Sequence, residues 1–251
     1  MSRRRNKRKR TRTRRLLRLF GWIVLAWVGV TWLVVLVLRF VPPPTSAFMI
    51  ERQASAWLHG EDDFELHYQW VPWSRMSKRA PLAMVASEDQ TFPFNHGFDI
   101  HAIHTVIEHA EDGERLRGAS TITQQTAKNL FLWGGHSWVR KGIEAYFTVL
   151  LDITWPKQRI LEVYANIAEF GNGVYGVGAA SRLYFHRDAA HLTRRQAALL
   201  AAVLPNPRRL HADRPSAYVE RRVTWIEQQM RQLGGTRYVT ADDPPRPRVR
   251  R

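Results

Sequence analysis

A pair of acidic residues, Glu88 and Asp89, follows the apolar run of residues 82–86 after one serine. Such a run is typical of the end of a buried helix, which would place Glu88 where the protein core meets water. Burial at such a border can raise the pKa of a carboxyl group towards the range in which it works as a general base. The simpler interpretation is that Glu88 only caps a helix.

A second polar stretch, residues 117–128, carries few charges but many hydroxyl and amide groups. A row of hydrogen-bond donors and acceptors suits a ligand that is rich in hydroxyl or phosphate groups. The alternative is local, because Ser120 or Thr121 could begin a helix and Gln124 could complete a capping box. Neither stretch decides between chemistry and structure by itself, but the two together favour a site.

Arg140 and Glu144 are one helical turn apart and should share one face of a helix. The apolar residues around them predict that this helix is largely buried, so its charges would line a cleft. The alternative is an ordinary surface ion pair, which is common and contributes little. Glu162 and Asn166 are also one turn apart, on a helix whose Ile160, Leu161 and Tyr164 look like core residues, and structural support is the favoured role of this pair.

Several other patterns lead to no site. The chain lacks cysteine, which excludes a thiol nucleophile and a cysteine-bound metal. The histidines at positions 96, 101, 104 and 109 match no standard zinc spacing, and we retain only His96 as a candidate. Residues 171–176 (GNGVYG) fit the letters of a dinucleotide-binding motif, but no apolar strand precedes them, so we predict a flexible loop between helices.

The excess positive charge is concentrated at the N-terminus. The chain has 38 basic and 22 acidic residues, and residues 1–18 contain eleven of the basic residues and none of the acidic ones. The remainder has 27 basic against 22 acidic residues, so its composition does not predict nucleic-acid binding. Residues 19–38 then carry no charge. A helix of that length spans about 30 Å, the thickness of a bilayer core.

These features predict five segments along the chain. Residues 1–18 form a basic cytoplasmic tail and residues 19–39 a transmembrane helix, oriented by the positive-inside rule. The apolar run is longer than the about 7–15 residues of a signal peptide. Three consecutive prolines predict a stiff linker over residues 40–47. A folded domain over residues 48–238 and a basic, disordered tail over residues 239–251 complete the chain.

Apolar spacing predicts that the folded domain is mainly helical. Capping pairs such as Thr193 with Gln196 indicate where helices begin, and Gly234 indicates where one ends. Strand-like alternation is confined to residues 64–71. The predicted helices are residues 77–88, 99–110, 120–130, 137–153, 157–168, 176–185, 193–204 and 216–233.

Five segments, taken in order, resemble the motifs of the peptidoglycan glycosyltransferases, which are the transglycosylase domains of class A penicillin-binding proteins and their monofunctional relatives. The resemblance covers about residues 45–235 and implies a lysozyme-like helical domain with a small membrane-proximal jaw. We expect the monofunctional form. The segments are residues 88–99 (EDQTFPFNHGFD), 118–125 (GASTITQQ), 140–144 (RKGIE), 159–166 (RILEVYAN) and 198–207 (ALLAAVLPNP).

The resemblance implies that this chain polymerises glycan. Glu88 would be the general base that takes the proton from the 4-hydroxyl of lipid II as this oxygen attacks the lipid-linked glycan. A β-1,4 bond would form with inversion, releasing undecaprenyl diphosphate. Glu144 would be the second catalytic carboxylate and the candidate ligand of a divalent cation, Mg or Mn. The substrate-binding positions of the family correspond to Asp89, Phe92, His96, Gly118, Ser120, Thr121, Gln124, Gln125, Lys128, Arg140, Lys141 and Asn166.

Two positions depart from the family pattern. His136 and Thr105 stand where relatives usually carry a basic residue. Binding of the diphosphate would then depend more on other cations, with Arg115, Arg117 and Lys141 as candidates. Neither departure affects the two carboxylates.

The resemblance also implies a setting: a single-pass protein of the cell inner membrane whose catalytic domain is periplasmic. Lipid II and lipid-linked glycan are the expected partners, cell-wall or division proteins are candidates, and nucleic acid is not expected. Two alternatives remain. A glycan-cleaving enzyme on the same scaffold needs no diphosphate cations, so Lys128 and Arg140 argue against it. A non-enzymatic membrane scaffold needs neither Glu88 nor Glu144.

Overall fold

The structure is a computed structural model that describes residues 2–100, 120–135 and 137–245, with side chains from residue 15 onwards. The chain divides into two units, residues 1–41 and 42–251. Most of the predicted helix over residues 99–110 lies outside the described residues. The same is true of Thr105, Arg115, Arg117, Gly118 and His136, and of residues 246–251 of the C-terminal tail.

The first unit is formed by one long helix, α1 (Ser2–Leu38). Its segment Arg15–Leu38 is long and apolar enough to cross a membrane. This segment contains all but the last residue of the predicted transmembrane helix, residues 19–39, so the helix is compatible with a membrane anchor. The basic residues that precede the span continue the same helix.

The second unit is mainly helical in the part of the chain that the structure describes, as predicted. Single 3₁₀ turns occur at Trp73–Arg75 and Ala189–His191. The strands are β1 (His67–Tyr68), β2 (Glu169–Gly171) and β3 (Val174–Tyr175). The helices are α2 (Ala47–Leu58), α3 (Arg79–Glu88), α4 (Ile122–Phe131), α5 (Trp138–Thr154), α6 (Lys157–Ile167), α7 (Gly176–Phe185), α8 (Arg194–Val203), α9 (Ala217–Gln232) and α10 (Arg237–Thr240).

Helix α3 lies in the core of this unit. All of its residues from 80 to 86 are buried, because it packs against α6, α8 and α9. Full burial of side chains such as Leu82, Met84 and Val85 contributes about 1.5–3 kcal/mol each. The opposing helix α8 buries its alanine-rich segment, residues 197–203, which lets the helices approach closely. The packing therefore holds the last residue of α3, Glu88, at a fixed place on the edge of the core.

Local capping signals set the ends of several helices, as predicted. Thr121 and Gln124 form a reciprocal capping box at the start of α4, and Thr193 and Gln196 form another at the start of α8. Gly234 follows α9 with φ +89°, and its N–H donates to the carbonyl of Arg231 at 3.0 Å. This is the left-handed cap for which glycine is suited.

Two parts of the architecture differ from the prediction. Helix α2 occupies residues for which no helix was predicted. Residues 171–176 belong to a β2–β3 hairpin and the start of α7, not to a flexible loop, and β1 pairs in parallel with β3 to give the order β1-β3-β2. Gly173 has φ +76°, and a Cβ there would lie 2.6 Å from the carbonyl oxygen of Glu65. The turn therefore requires glycine for tight backbone packing.

Candidate active site

Glu88 ends helix α3 with its side chain 17% exposed, so solvent still reaches its carboxyl group. Gln125 of α4 donates a hydrogen bond from Nε2 to Oε2 of Glu88 at 3.2 Å. Burial raises the pKa of Glu88, and the Gln125 hydrogen bond and the charges of Arg222 and Lys128 oppose that shift. The result is an accessible carboxyl group whose pKa lies above its ordinary value, as a general base requires.

The adjacent Asp89 has a structural environment instead. It is buried, and its carboxylate accepts hydrogen bonds from the N–H of Ile122 at 3.0 Å, from Asn95 Nδ2 at 3.0 Å and from Thr91 Oγ1 at 3.1 Å. Burial raises the pKa of Asp89 against these hydrogen bonds. Because Ile122 is the first residue of α4, Asp89 joins the start of α4 to the end of α3. These hydrogen bonds give Asp89 an internal role, and its predicted contact with substrate stays a prediction.

A cluster of cations surrounds Glu144 near the start of α5. Arg140 donates from Nη1 to Oε2 of Glu144 at 2.8 Å, and the ammonium of Lys141 pairs with Oε1. The side chains of Arg140 and Glu144 are 8% and 4% exposed, so this is a buried ion pair and not the surface pair of the alternative interpretation. Lys128 of α4 adds a third positive charge. Its pKa is lowered, mainly by burial, while the charge of Glu144 opposes the shift.

The cluster retains hydrogen-bonding capacity for a ligand. No carboxylate lies within ion-pair distance of Lys128 among the described residues, and its ammonium stands 5.5 Å from the centre of the Phe48 ring. Within the same residues, the buried Nε of Arg140 has no hydrogen-bond partner. Lys128 also interacts electrostatically with both Glu88 and Glu144. The candidate base and the cation cluster therefore belong to one site, in which free donors can receive an anion.

The predicted polar residues of α4 divide into two groups. Thr121 and Gln124 are buried in the capping box, and Thr121 Oγ1 also donates to the carbonyl of Gly97 at 2.6 Å. Their side chains thus fix the start of the helix. Gln125 faces Glu88, and Ser120 is exposed just before the cap. The capping interpretation is correct for Thr121 and Gln124. Ser120 and Gln125 stay candidates for substrate binding.

Three further predicted residues differ in accessibility. Phe92 is 2% exposed and belongs to the core, and its predicted contact with substrate stays a prediction. Asn166 is fully buried, where Oδ1 accepts from the N–H of Val71 at 2.8 Å and Nδ2 donates to the carbonyl of Val71 at 2.9 Å. The interpretation of Asn166 as structural support is therefore correct. His96, by contrast, is 95% exposed, with Nδ1 3.9 Å from Oδ2 of Asp152.

One residue of the site was not predicted from the sequence. Arg222 of α9 places a terminal nitrogen 3.5 Å from Oε1 of Glu88. Its neighbour Arg221 is exposed. Two consecutive arginines in a chain with 38 basic residues give no local signal that one of them faces an acid 134 positions earlier.

The described residues form no preformed site for a divalent cation at Glu144. Both oxygens of this carboxylate already pair with Arg140 and Lys141. Across the described ranges, no group of three or more histidine or acidic side chains could hold a metal ion. Magnesium usually keeps several waters and binds through one or two carboxylates together with substrate phosphates. A divalent cation at Glu144 therefore stays a prediction.

Comparison with known proteins identifies the family. The model of the transglycosylase family matches residues 57–231. The chain belongs to this family. The relative from Xanthomonas euvesicatoria pv. vesicatoria named biosynthetic peptidoglycan transglycosylase is 52% identical over 228 residues, which cover 91% of this chain and 92% of the relative. Proteins with the same name from Ectopseudomonas mendocina and Chromohalobacter salexigens are 50% and 52% identical, and cover 95% and 90% of this chain.

The extent of the family match fits the geometry of the site. The match begins near the end of α2 and ends at the last turn of α9, so it includes Glu88, the cation cluster and Arg222. The resemblance predicted from the five sequence segments is thereby confirmed. The residues that align with this chain make up 92–96% of the length of each of these three relatives.

Proposed function

We propose that this chain is a membrane-anchored peptidoglycan glycosyltransferase that polymerises lipid II into glycan. The observation that supports this proposal most strongly is that one helix, α4, carries both Gln125, which contacts Glu88, and Lys128, which lies near the ion pairs of Glu144. A proton acceptor and a cluster of cations in one site are what transfer of a sugar from a lipid diphosphate requires. The names of the relatives, which refer to biosynthetic peptidoglycan transglycosylases, agree with it.

Glu88 acts as the general base. Its raised pKa gives the carboxylate a greater affinity for a proton than an ordinary glutamate has. It removes the proton from the 4-hydroxyl of lipid II while that oxygen forms a bond to C1 of the lipid-linked sugar. Attack from the face opposite the diphosphate converts an α bond into a β-1,4 bond. The proton moves to Glu88 and the bonding electrons leave with the diphosphate.

The cation cluster receives the charge of the leaving diphosphate. Arg140 has an unpaired buried donor, and Lys128 has an ammonium without an ion-pair partner in the described part of the chain. Groups fixed where negative charge develops lower the barrier, because they need not reorganise during the reaction. Glu144 holds Arg140 and Lys141 in place before the substrate arrives. Its contribution is to position the cations.

The membrane anchor brings the enzyme to its substrate. The helix Arg15–Leu38 can span a bilayer, and the basic residues before it favour a cytoplasmic N-terminus. Residues 42–251 would then lie in the periplasm, tethered to the inner membrane. Because both substrates are lipids of the same bilayer, tethering raises the effective concentration of the enzyme near them.

Labelled lipid II tests this proposal directly. The full chain in detergent micelles should convert labelled lipid II into a polymer that muramidase digests, and should release no fragments from preformed glycan. Soluble fragments from preformed glycan would support the glycan-cleaving alternative. If neither product forms, a non-enzymatic scaffold is supported. Soluble fragments, or the absence of both products, would overturn the proposal.

A further inference from the structure

Arg222 approaches Glu88 in a way that a purely structural ion pair does not. Its terminal nitrogen is 3.5 Å from one carboxylate oxygen, which is the outer limit of a hydrogen bond. For comparison, Arg208 holds Glu169 with two contacts, at 2.9 and 3.3 Å. Strong arginine–carboxylate pairs have short bonds and are frequently bidentate. The contact of Arg222 is single and long, so it leaves Glu88 free to accept a proton.

The guanidinium of Arg222 is incompletely satisfied. Its Nε is buried and has no hydrogen-bond partner among the described residues. A buried donor without a partner lowers the stability of a folded protein by about 1–3 kcal/mol. Folding alone therefore does not account for an arginine at this position, and a role in the reaction does.

The rest of the fold fixes where this charge lies. Helix α9 buries a stripe of apolar residues, Val219, Val223, Ile226 and Met230, against its neighbours. Gln90, two positions after Glu88, donates from Nε2 to Oε1 of Gln229 at 3.2 Å. Arg222 lies beside this stripe and on the same helix as Gln229. The position of α9 relative to the end of α3 is therefore set at two points.

The other groups that face Glu88 are also defined. Asp89 follows it on the chain, Lys128 and Gln125 face it from α4, and Tyr164 faces it from α6. Tyr164 donates from its hydroxyl to Oε1 of Gln125 at 3.0 Å, which turns the amide Nε2 towards Glu88. Gln125 thus orients one oxygen of the carboxylate, and Arg222 faces the other.

We propose that Arg222 is a positioning residue that keeps Glu88 in its carboxylate form and directs one of its oxygens. The inference rests on the proposed function, in which Glu88 is the base. Burial and the charge of Asp89 favour the protonated acid, whereas Arg222 and Lys128 favour the carboxylate. Loss of Arg222 removes the nearer of the two cations. Glu88 would then be protonated at a pH where the native enzyme still holds it as a base.

The test is the pH dependence of polymerisation by the full chain, measured as kcat/KM with labelled lipid II. In Arg222→Gln the acidic limb of the pH–rate profile should move to higher pH by about one unit. At pH values below the midpoint of that limb, kcat/KM should therefore be about tenfold lower than in the native chain. Above the limb the rate should return to within about twofold of the native rate. Arg222→Lys keeps the charge and should recover most of the shift.

Arg221→Gln is the matched control, because it removes the same charge one residue away on the exposed face and should leave the limb unmoved. Arg222→Met retains the apolar stem and should move the limb in the same way if Arg222→Gln folds poorly. A loss that is equal at every pH, a higher KM with an unmoved limb, or an equal shift in Arg221→Gln would overturn the inference. Absence of polymer with the native chain would instead overturn the proposed function.

Discussion

Arg140 and Glu144 form a buried ion pair one helical turn apart, with Nη1 and Oε2 separated by 2.8 Å. The pair stands in the first half of α5, and Lys141 engages the second oxygen of Glu144. This arrangement fixes two cations with one carboxylate. It explains how an acidic residue can serve the binding of an anionic leaving group, since Glu144 positions the charges that the diphosphate meets.

Substitution of Glu144 should therefore affect both stability and turnover. Glu144→Gln leaves the charge of Arg140 buried without compensation, which should lower the free energy of unfolding by about 3 kcal/mol. Glu220→Gln is the control, since it breaks the exposed pair with Arg195 and should change stability by about 0.5 kcal/mol or less. Urea titration of both variants measures the difference. Equal effects would contradict the buried role of Glu144.

Asp89 should prove structural in the same kind of experiment. Asp89→Ala leaves the N–H of Ile122 and the amide of Asn95 without their acceptor, so we expect a loss of about 2–4 kcal/mol in unfolding free energy. Asp188→Ala removes an exposed cap from the N–H of Ala190 and should lose about 0.5–1 kcal/mol. An Asp89→Ala protein as stable as the native chain would show that Asp89 has another role.

Asn166 provides a third test of whether a buried residue stabilises the fold or binds the substrate. Asn166→Ala leaves the buried N–H of Val71 unpaired, which should lower the free energy of unfolding by about 1–3 kcal/mol. The folded fraction should retain its KM for lipid II within about twofold, because this side chain has no exposed surface. A KM that rises strongly without loss of stability would restore Asn166 to the substrate site.

Sequence patterns predicted those features that depend on neighbouring residues. The capping boxes at Thr121 and Thr193 and the glycine cap at Gly234 act within one helical turn, so the predicted helix ends lie within about two residues of those observed. The apolar run before Glu88 likewise predicts that this residue lies at the end of a buried helix, and Glu88 is the last residue of α3.

Features that depend on distant contacts were not predictable in this way. Helix α2 buries Arg52, whose Nε donates to Asn172 at 2.8 Å across 120 positions. Strand β1 pairs with β3 more than a hundred residues later, so the local pattern of residues 171–176 does not reveal the hairpin. Asp89 and Phe92 illustrate another limit, because their sequence positions fit structural support and substrate binding equally well. Only their burial distinguishes the two roles.

Replacement of Lys128 should lower activity without lowering stability. Burial lowers its pKa from 10.5, so the folded protein disfavours the charged form and carries this penalty at every pH below the lowered value. Lys128→Met should therefore be as stable as the native chain or more stable at neutral pH. It should also lose about 10²–10³-fold in kcat/KM, as expected for a lost stabiliser of developing charge. A variant with lower stability and normal turnover would contradict this assignment.

The native chain offers a matching check on Lys128. Its stability should rise with pH through the interval between the lowered pKa and 10.5, because the unfolded chain still binds the proton there. In Lys128→Met this component of the pH dependence should be absent. Thermal unfolding of both proteins across that interval measures the difference, and identical profiles would argue against a buried charge.

The same reasoning applies to Glu88 with the opposite sign. Its pKa is raised above 4.5, so the ionised carboxylate lowers stability at pH values above the folded pKa, and the penalty is absent below the unfolded pKa. Glu88→Gln has no such charge. It should unfold at the native temperature or above it at neutral pH, and each kcal/mol gained corresponds to about 2–4 °C in a domain of this size.

The most direct measurement is the rate at which Glu88→Gln converts labelled lipid II into glycan, compared with the native chain at equal enzyme and substrate concentrations. Loss of the general base should lower the rate by about 10²–10⁴-fold. The thermal unfolding of the variant excludes misfolding as the cause. A folded Glu88→Gln protein that polymerises lipid II at the native rate would contradict the account.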